Sequence, residues 1–350
     1  MRDLPWFSGH FRWTGFDYYG EAGYVHGGWP FRLFMGGALD VAGFEKDLFY
    51  FYKSQWTDEP MVHLLPHWTH PNMPIGTKIP VWAYSNCQQV ELFHNGKSLG
   101  KDSPGTKWDE MQAEWLVPWQ PGTIKADCYI DGKVVTSTKQ ITSGAPAILS
   151  LKTENKFVSA AIDKIAVITA ELKDENGIFY PYGENKVYFH LDGPASIISL
   201  ESGDPVDPNK NYGVDHRKAF MGATRAFIQI EDNKADINLT SAAIMGDKQL
   251  TLSNNITIDV QQLNILGTAK QQVFKVYYTL DGSQPTQRSR VYATPFAVTA
   301  GTQVRAIVMN KDQVVFNMQE SFADGSGLYW GNEQAETTLA LNQSGMLAID

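Results

Sequence analysis

The sequence predicts a mainly β fold: a series of small β-sandwiches preceded by a single β/α unit. Three observations carry this. From Pro60 onward helical periodicity disappears. Short runs of alternating β-branched and aromatic residues recur, punctuated by Asn-Gly, Asp-Gly and Gly-Pro turns. Residues 1–58 alone combine a strand-like run, a glycine-rich loop and a helical pattern.

That opening segment comes first. His10–Tyr19 is aromatic and strand-like, and Gly20, Gly23, Gly27, Gly28 and Pro30 mark a loop. A short apolar run, Ala38–Val41, leads through Gly43 into Phe44–Trp56. There Phe44, Leu48, Phe51, Tyr52 and Gln55 share one helical face. One β/α unit cannot cover both faces of its own strand, so it must complete something larger or dock on a neighbour.

The next strands are expected at Lys78–Asn86, Val90–His94, Lys97–Gly100, Trp115–Val117, Thr123–Ile130 and Lys133–Thr138. Asn95-Gly96 and Asp131-Gly132 are two-residue hairpin turns between them. This is a first sandwich, 59–143. Ser143-Gly144-Ala145-Pro146 reads as a linker. A second sandwich, 144–260, is expected from Ala147–Lys152, Ile165–Lys173, Lys186–Leu191, Ala226–Ile230, Ile237–Ala242 and Asn255–Val260. A third β block, 261–322, holds Lys275–Thr279, Val291–Phe296 and Gln303–Met309. Residues 323–350 read as a linker or the start of a further module.

Composition narrows the partners. Net charge is −9, and no Lys/Arg run exceeds two residues, which argues against nucleic acid and anionic membranes. No apolar run reaches the roughly 18 residues of a membrane span. The opening Met1-Arg-Asp-Leu-Pro-Trp6 has no signal-peptide core. Ten Trp, fifteen Tyr and eighteen Phe suit a sugar-binding protein and equally a well-packed β protein. Cys87 and Cys128 could pair; two separate buried thiols are the expectation.

Five ordered blocks carry a specific resemblance. They are Phe11-Arg-Trp13-Thr-Gly-Phe-Asp17-Tyr-Tyr-Gly-Glu21, Leu39-Asp-Val-Ala-Gly-Phe44-Glu-Lys-Asp47, Met61-Val-His63-Leu-Leu-Pro-His67-Trp68, Val81-Trp-Ala-Tyr-Ser-Asn86 and Val90-Glu-Leu-Phe-His-Asn95-Gly96-Lys-Ser-Leu-Gly100. Together they resemble glycoside hydrolase family 2, in particular its bacterial β-galactosidases. Val167–Lys173, Asp174–Gly177, Asp192-Gly193-Pro194 and Arg217–Gly222 resemble that family's C-terminal immunoglobulin-like domain. Tyr277-Tyr-Thr-Leu-Asp281-Gly-Ser-Gln-Pro285-Thr286 resembles the chitobiase C-terminal accessory domain.

The resemblance implies tandem immunoglobulin-like β-sandwiches preceded by the last β/α unit of a (β/α)8 barrel, residues 1–58. Barrel active sites lie at the C-terminal ends of the strands, here Trp13 to Glu21. Retaining glycosidases need two carboxylates about 5–5.5 Å apart. The family places these on barrel strands four and seven, which precede Phe11, so no catalytic residue is assigned here and the chain alone is expected to be inactive. Trp13 matches a tryptophan that lines the sugar subsite in related enzymes. Asp17, Tyr18 and Glu21 are candidate substrate contacts beside it. The implied ligand is a β-galactoside oligosaccharide or glycan, with no cofactor, an oligomer allowed, and a periplasmic or secreted location by family habit.

Family members acting on glucuronides hold the substrate carboxylate with an Asn-x-Lys motif. Here it would fall on Phe34-Met35-Gly36, so a uronic acid is disfavoured. His63, His67 and His70 are spaced like metal ligands, but Pro66, Trp68 and Pro71 interrupt any common face, and packing is the expectation. Asp281 and Ser283 are expected to hold a turn, not calcium. Tyr277, Tyr278 and Tyr292 are read as cross-strand packing in preference to a sugar platform. The competing function is a non-catalytic carbohydrate-binding or scaffold protein, in which the first strand would lie in a self-contained sheet.

Overall fold

The computed structural model describes residues 5–21, 28–107, 110–154, 164–232, 237–244, 250–252, 255–259, 264–268, 274–291, 296–298, 302–310, 312–322, 337–341 and 347–349. The chain divides into two compact units, residues 1–143 with 203–209, and 144–202 with 210–350. The fold is mainly β in multiple sheets, and among the described residues it contains one α-helix.

In the first unit the predicted strand His10–Tyr19 is reduced to a fragment. Phe16 forms a parallel bridge with Leu39, and β1 (Tyr18–Tyr19) pairs antiparallel with β2 (Leu33–Phe34). A strand needs a neighbour to satisfy its backbone N–H and C=O groups. Phe11 to Thr14 have none, and Phe11, Trp13 and Phe16 are exposed. The helix, α1 (Asp47–Trp56), begins three residues later than its periodicity suggests. Glu45 bridges to Leu39 and the Lys46 N–H donates to Ala38 O, which holds those residues extended. On the expected helical face, the two aromatic residues Phe51 and Tyr52 make different ring contacts. Phe51 meets Tyr84 at 5.3 Å, while Tyr52 stacks on Trp56 at 4.6 Å.

Two sheets form the first sandwich. One is β3 (Val62–Leu65), β4 (Lys78–Ser85) and β7 (Ala113–Pro118), in the order β3-β4-β7. The other contains β5 (Gln89–His94), β6 (Lys97–Asp102), β8 (Thr123–Ile130) and β9 (Lys133–Ile141), in the order β6-β5-β8-β9. Alternation decides what faces inward: Ile79, Val81 and Ala83 from β4, Val90 and Leu92 from β5, Ile124 and Ala126 from β8. Each fully buried Val, Leu or Ile among them contributes about 1.5–3 kcal/mol. Asn95-Gly96 and Asp131-Gly132 have the paired positive φ values, 50° and 80°, 51° and 73°, that a type I′ hairpin requires.

The two cysteines depart from expectation. Cys87, just after β4, and Cys128, in β8, are joined as a disulfide with Cα atoms 5.8 Å apart. Both are buried, and Cys128 continues the inward-facing series Ile124, Ala126. The β4–β5 corner is therefore pinned to β8, the strand with which β5 pairs.

The second unit holds the second sandwich. One sheet contains β10 (Ile148–Thr153), β11 (Ile165–Lys173), β13 (Ala195–Glu201) and β15 (Ala223–Ile230), ordered β10-β11-β15-β13. The other contains β12 (Lys186–Asp192), β14 (His216–Lys218), β16 (Ile237–Ile244), β18 (Asn255–Asp259) and β19 (Asn264–Thr268), with β17 (Leu250–Leu252) paired to β16. Leu149, Ile168, Leu172, Phe189, Ile228 and Leu239 lie at the heart of its core. Asp174 organises the Asp-Glu-Asn-Gly turn. Its carboxylate accepts the N–H groups of Asn176, Ile178 and Gly144, at 2.8–2.9 Å. The expected linker is thus anchored to the sandwich at Gly144.

Beyond these strands lie β20 (Phe274–Thr279), β21 (Arg290–Val291), β22 (Phe296–Val298), β23 (Thr302–Asn310) and β24 (Gln313–Phe322). The order β21-β20-β23-β24 includes a bulged hairpin that the sequence reading does not contain. Two further strands, β25 (Thr337–Leu341) and β26 (Leu347–Ile349), form a sheet with β22. The turn at Asp281 is held as read: its carboxylate accepts from Ser283 N–H at 3.0 Å and from Ser283 Oγ. Tyr292 lies outside the described residues.

Candidate carbohydrate site

Three of the four candidate contacts come together at the start of the first unit. The Trp13 indole Nε1 donates to the Tyr18 hydroxyl at 3.1 Å, and that hydroxyl donates to the Glu21 carboxylate. The two rings meet edge to face at 6.0 Å. Phe34 backs Tyr18 across the β1–β2 pair, with ring centroids 5.2 Å apart. The Glu21 carboxylate raises the Tyr18 phenol above its ordinary value, its hydrogen bond being the main cause. The Trp13–Thr14 peptide is cis. Trp13 retains 66% of its surface in contact with solvent. An exposed indole beside a hydroxyl and a carboxylate offers a sugar both an apolar face and hydrogen-bond partners.

Asp17 lies apart from these three. Its side chain is buried, and Oδ1 accepts from Lys46 Nζ at 2.7 Å and from the Gly37 N–H at 2.8 Å. Lys46 Nζ also donates to Met35 O at 3.0 Å. Strand, connecting loop and the residue before α1 are thus tied by one ion pair. Gly37 has to be glycine: a Cβ there would come within 2.3 Å of the backbone at Phe16 and Asp17.

The residues that the sequence reading missed are Arg32 and the segment 203–209. Arg32 N–H donates to Pro205 O at 2.8 Å, and its guanidinium donates to Asp207 O at 2.6 Å. Asp204-Pro205 and Asp207-Pro208 are the local signal that could have drawn attention to this segment. Each Asp folds back on the chain, Asp204 accepting from Val206 N–H and Asp207 from Asn209 N–H.

The histidines separate into two environments. His63 Nε2 lies 2.8 Å from Asp47 Oδ1, and its ring stacks on Tyr50 at 3.7 Å. His67 and His70 lie 4.9 Å apart beside the buried Trp68. Burial pushes both below the ordinary histidine value, and for His67 the nearby His70 adds to this. Above about pH 6.5 both are neutral in the folded and unfolded chain. As pH falls below that value the unfolded chain takes up protons that the folded chain refuses, and their contribution to stability is lost towards the lowered folded value. The melting temperature of the first sandwich should therefore be level above about pH 7 and fall as pH drops below about 6.5. A His67→Gln/His70→Gln variant should lose that slope in a pH series of thermal melts; an unchanged slope would refute the assignment.

Comparison with known proteins agrees with this architecture. Residues 149–249 match the family described as glycoside hydrolase family 2 C-terminal domain 5. Residues 76–136 match a domain family of unknown function (DUF4982), and 266–316 match one described as Fn3 associated. A putative beta-glucuronidase of Formosa agariphila is 52% identical over 340 residues, 96% of this chain and 32% of that protein. Beta-galactosidase BoGH2A of Bacteroides ovatus is 36% identical over 244 residues, 69% of this chain and 28% of that protein. The crystal structure of a beta-glycosidase from Bacteroides vulgatus superposes with a TM-score of 0.62 at 36% identity, covering 74% of this chain and 30% of the other.

The chain is a C-terminal region of glycoside hydrolase family 2. It spans about a third of the length of the curated relatives it matches. Within this family 2 region no group of His, Cys, Asp or Glu that could hold a metal occurs among the described residues. No described helix is long and apolar enough to cross a membrane.

Proposed function

We propose that this region serves a retaining glycosidase acting on β-galactosides, with Trp13, Tyr18 and Glu21 forming one wall of the sugar site. The observation that carries the reading is the exposed Trp13 indole, hydrogen-bonded through Tyr18 to Glu21. The catalytic acid/base and nucleophile come from residues outside these 350. The engagement of Asp17 with Lys46, and of Glu21 with Tyr18, supports leaving both out of the opposed carboxylate pair that retention needs. One relative is named a beta-galactosidase, and Phe34-Met35-Gly36 offers neither an amide nor a cationic side chain for a substrate carboxylate. A glucuronide is the second reading, favoured by the name of the 52% identical relative.

The 350-residue chain should leave chromogenic β-galactosides and β-glucuronides uncut. Turnover that vanishes on Glu21→Gln or Asp17→Asn would overturn the proposal. In a chain that also carries both catalytic carboxylates, the galactoside should be the substrate. There Trp13→Ala should lower kcat/KM by about 10- to 100-fold, the equivalent of losing about 1.5–3 kcal/mol of apolar contact. Preference for the glucuronide decides for the second reading. Retention of the 350-residue chain on polysaccharide gels, undiminished by Trp13→Ala, favours the non-catalytic binding protein.

A further inference from the structure

We infer that Arg32 is a positioning residue, clamped by the segment 203–209, that holds the β1–β2 ribbon and so sets the orientation of Tyr18 in the aromatic cluster. The inference rests on reading Trp13, Tyr18 and Glu21 as a sugar-facing wall, although its test does not need sugar. A two-residue ribbon is too short to be stable by itself; isolated hairpins far longer are marginal in water. Something must hold it. On one side the Arg32 carbonyl accepts from Gly20 N–H at 3.0 Å, closing the ribbon directly beside Tyr18 and Tyr19. On the other, both donors of Arg32 engage the segment, the backbone N–H at Pro205 O and the guanidinium at Asp207 O. Its guanidinium carbon also lies 5.8 Å from the centre of the Tyr19 ring.

The segment is prepared for this role. Asx turns at Asp204 and Asp207 shape the stretch that presents the Pro205 and Asp207 carbonyls. Gly203 enters with φ +79°, and a Cβ there would sit 2.0 Å from the Asp40 carboxylate. Asp40 in turn accepts from Phe44 N–H at 2.8 Å. The segment is therefore fitted closely against the turn between Ala38 and Phe44, leaving it little room to shift independently of the ribbon.

The test uses the full 350-residue chain with 15N-labelled tryptophan. The Trp13 indole resonance is identified by its loss in Trp13→Phe, and it reports the hydrogen bond to Tyr18. Arg32→Ala should move or broaden it. Gly203→Ala, which touches neither Trp13 nor the ribbon, should do the same. The Trp68 indole, bonded to Gln120 O at 3.1 Å in the sandwich, should stay in place in both. Arg32→Lys, which keeps a cationic donor but not the planar fork, should restore part of the native position. A Trp13 resonance unmoved in both variants overturns the inference. Movement in Arg32→Ala but not Gly203→Ala removes the segment from it and overturns it equally. Failure of the sugar-wall reading is seen separately, as unchanged kcat/KM for Trp13→Ala in the chain that also carries both catalytic carboxylates.

Discussion

Replacing Cys87 and Cys128 together with serine is expected to lower the stability of the first sandwich by about 4 kcal/mol. The figure follows from loop closure: a cross-link spanning 41 positions removes chain entropy from the unfolded state, and the entropic relation gives about 4 kcal/mol for that length. For a sandwich of this size the melting transition should fall by about 15 °C or more. Thermal melts with and without reductant check it. Reductant should shift the native chain to the melting temperature of the serine variant and leave that variant unmoved. Chain prepared in a reducing cytosol should melt equally low until oxidised. Two thiols titrating in the denatured, unreduced protein would show that the bond is absent.

The first sandwich was largely legible in the sequence because its information is local. Asn95-Gly96 and Asp131-Gly132 impose positive φ at two successive residues, which fixes hairpin position and register at once. The alternation in 123–130 and 165–173 placed β8 and β11 without error in their bounds. The expectation of separate thiols failed for the opposite reason. Cys87 sits in a corner, where no periodicity says which way a side chain points.

The segment β24 was missed because Val314, Val315 and Phe316 are consecutive, which breaks the alternation that marks a half-buried strand; β23 and β24 indeed change register near there. The site was legible only in part. The first-strand motif brought Trp13, Tyr18 and Glu21 into view, since they lie within nine residues of one another. Arg32 and Asp207 are 175 positions apart, and no composition or spacing rule links an arginine in a glycine-rich loop to a carbonyl that far along the chain.

Asp17 shows how the same residue type can be pulled towards the fold. Asp17→Ala is expected to cost about 3 kcal/mol in the β/α unit, because it leaves the Gly37 N–H without its acceptor and the Lys46 ammonium without its counter-charge, with the Met35 carbonyl still accepting from it. The estimate is at the lower end for a broken buried pair, since the Lys46 side chain keeps 31% of its exposure and recovers some hydration. Asp17→Asn keeps an oxygen for the Gly37 N–H but loses the charge partner, so it should cost roughly half as much. Pairing Asp17→Ala with Lys46→Met removes the stranded ammonium and should recover about 1–2 kcal/mol. Native-state hydrogen exchange at the amides of Asp17, Gly37 and Leu39 reads the cycle directly, because these amides join the strand to the turn before α1. Strict additivity of the two substitutions would mean that the ion pair contributes nothing. In that case the Gly37 N–H, which shares Oδ1 with Lys46, would be the contact through which Asp17 holds the loop, and Asp17→Asn, which keeps that acceptor, would leave exchange at Leu39 unchanged.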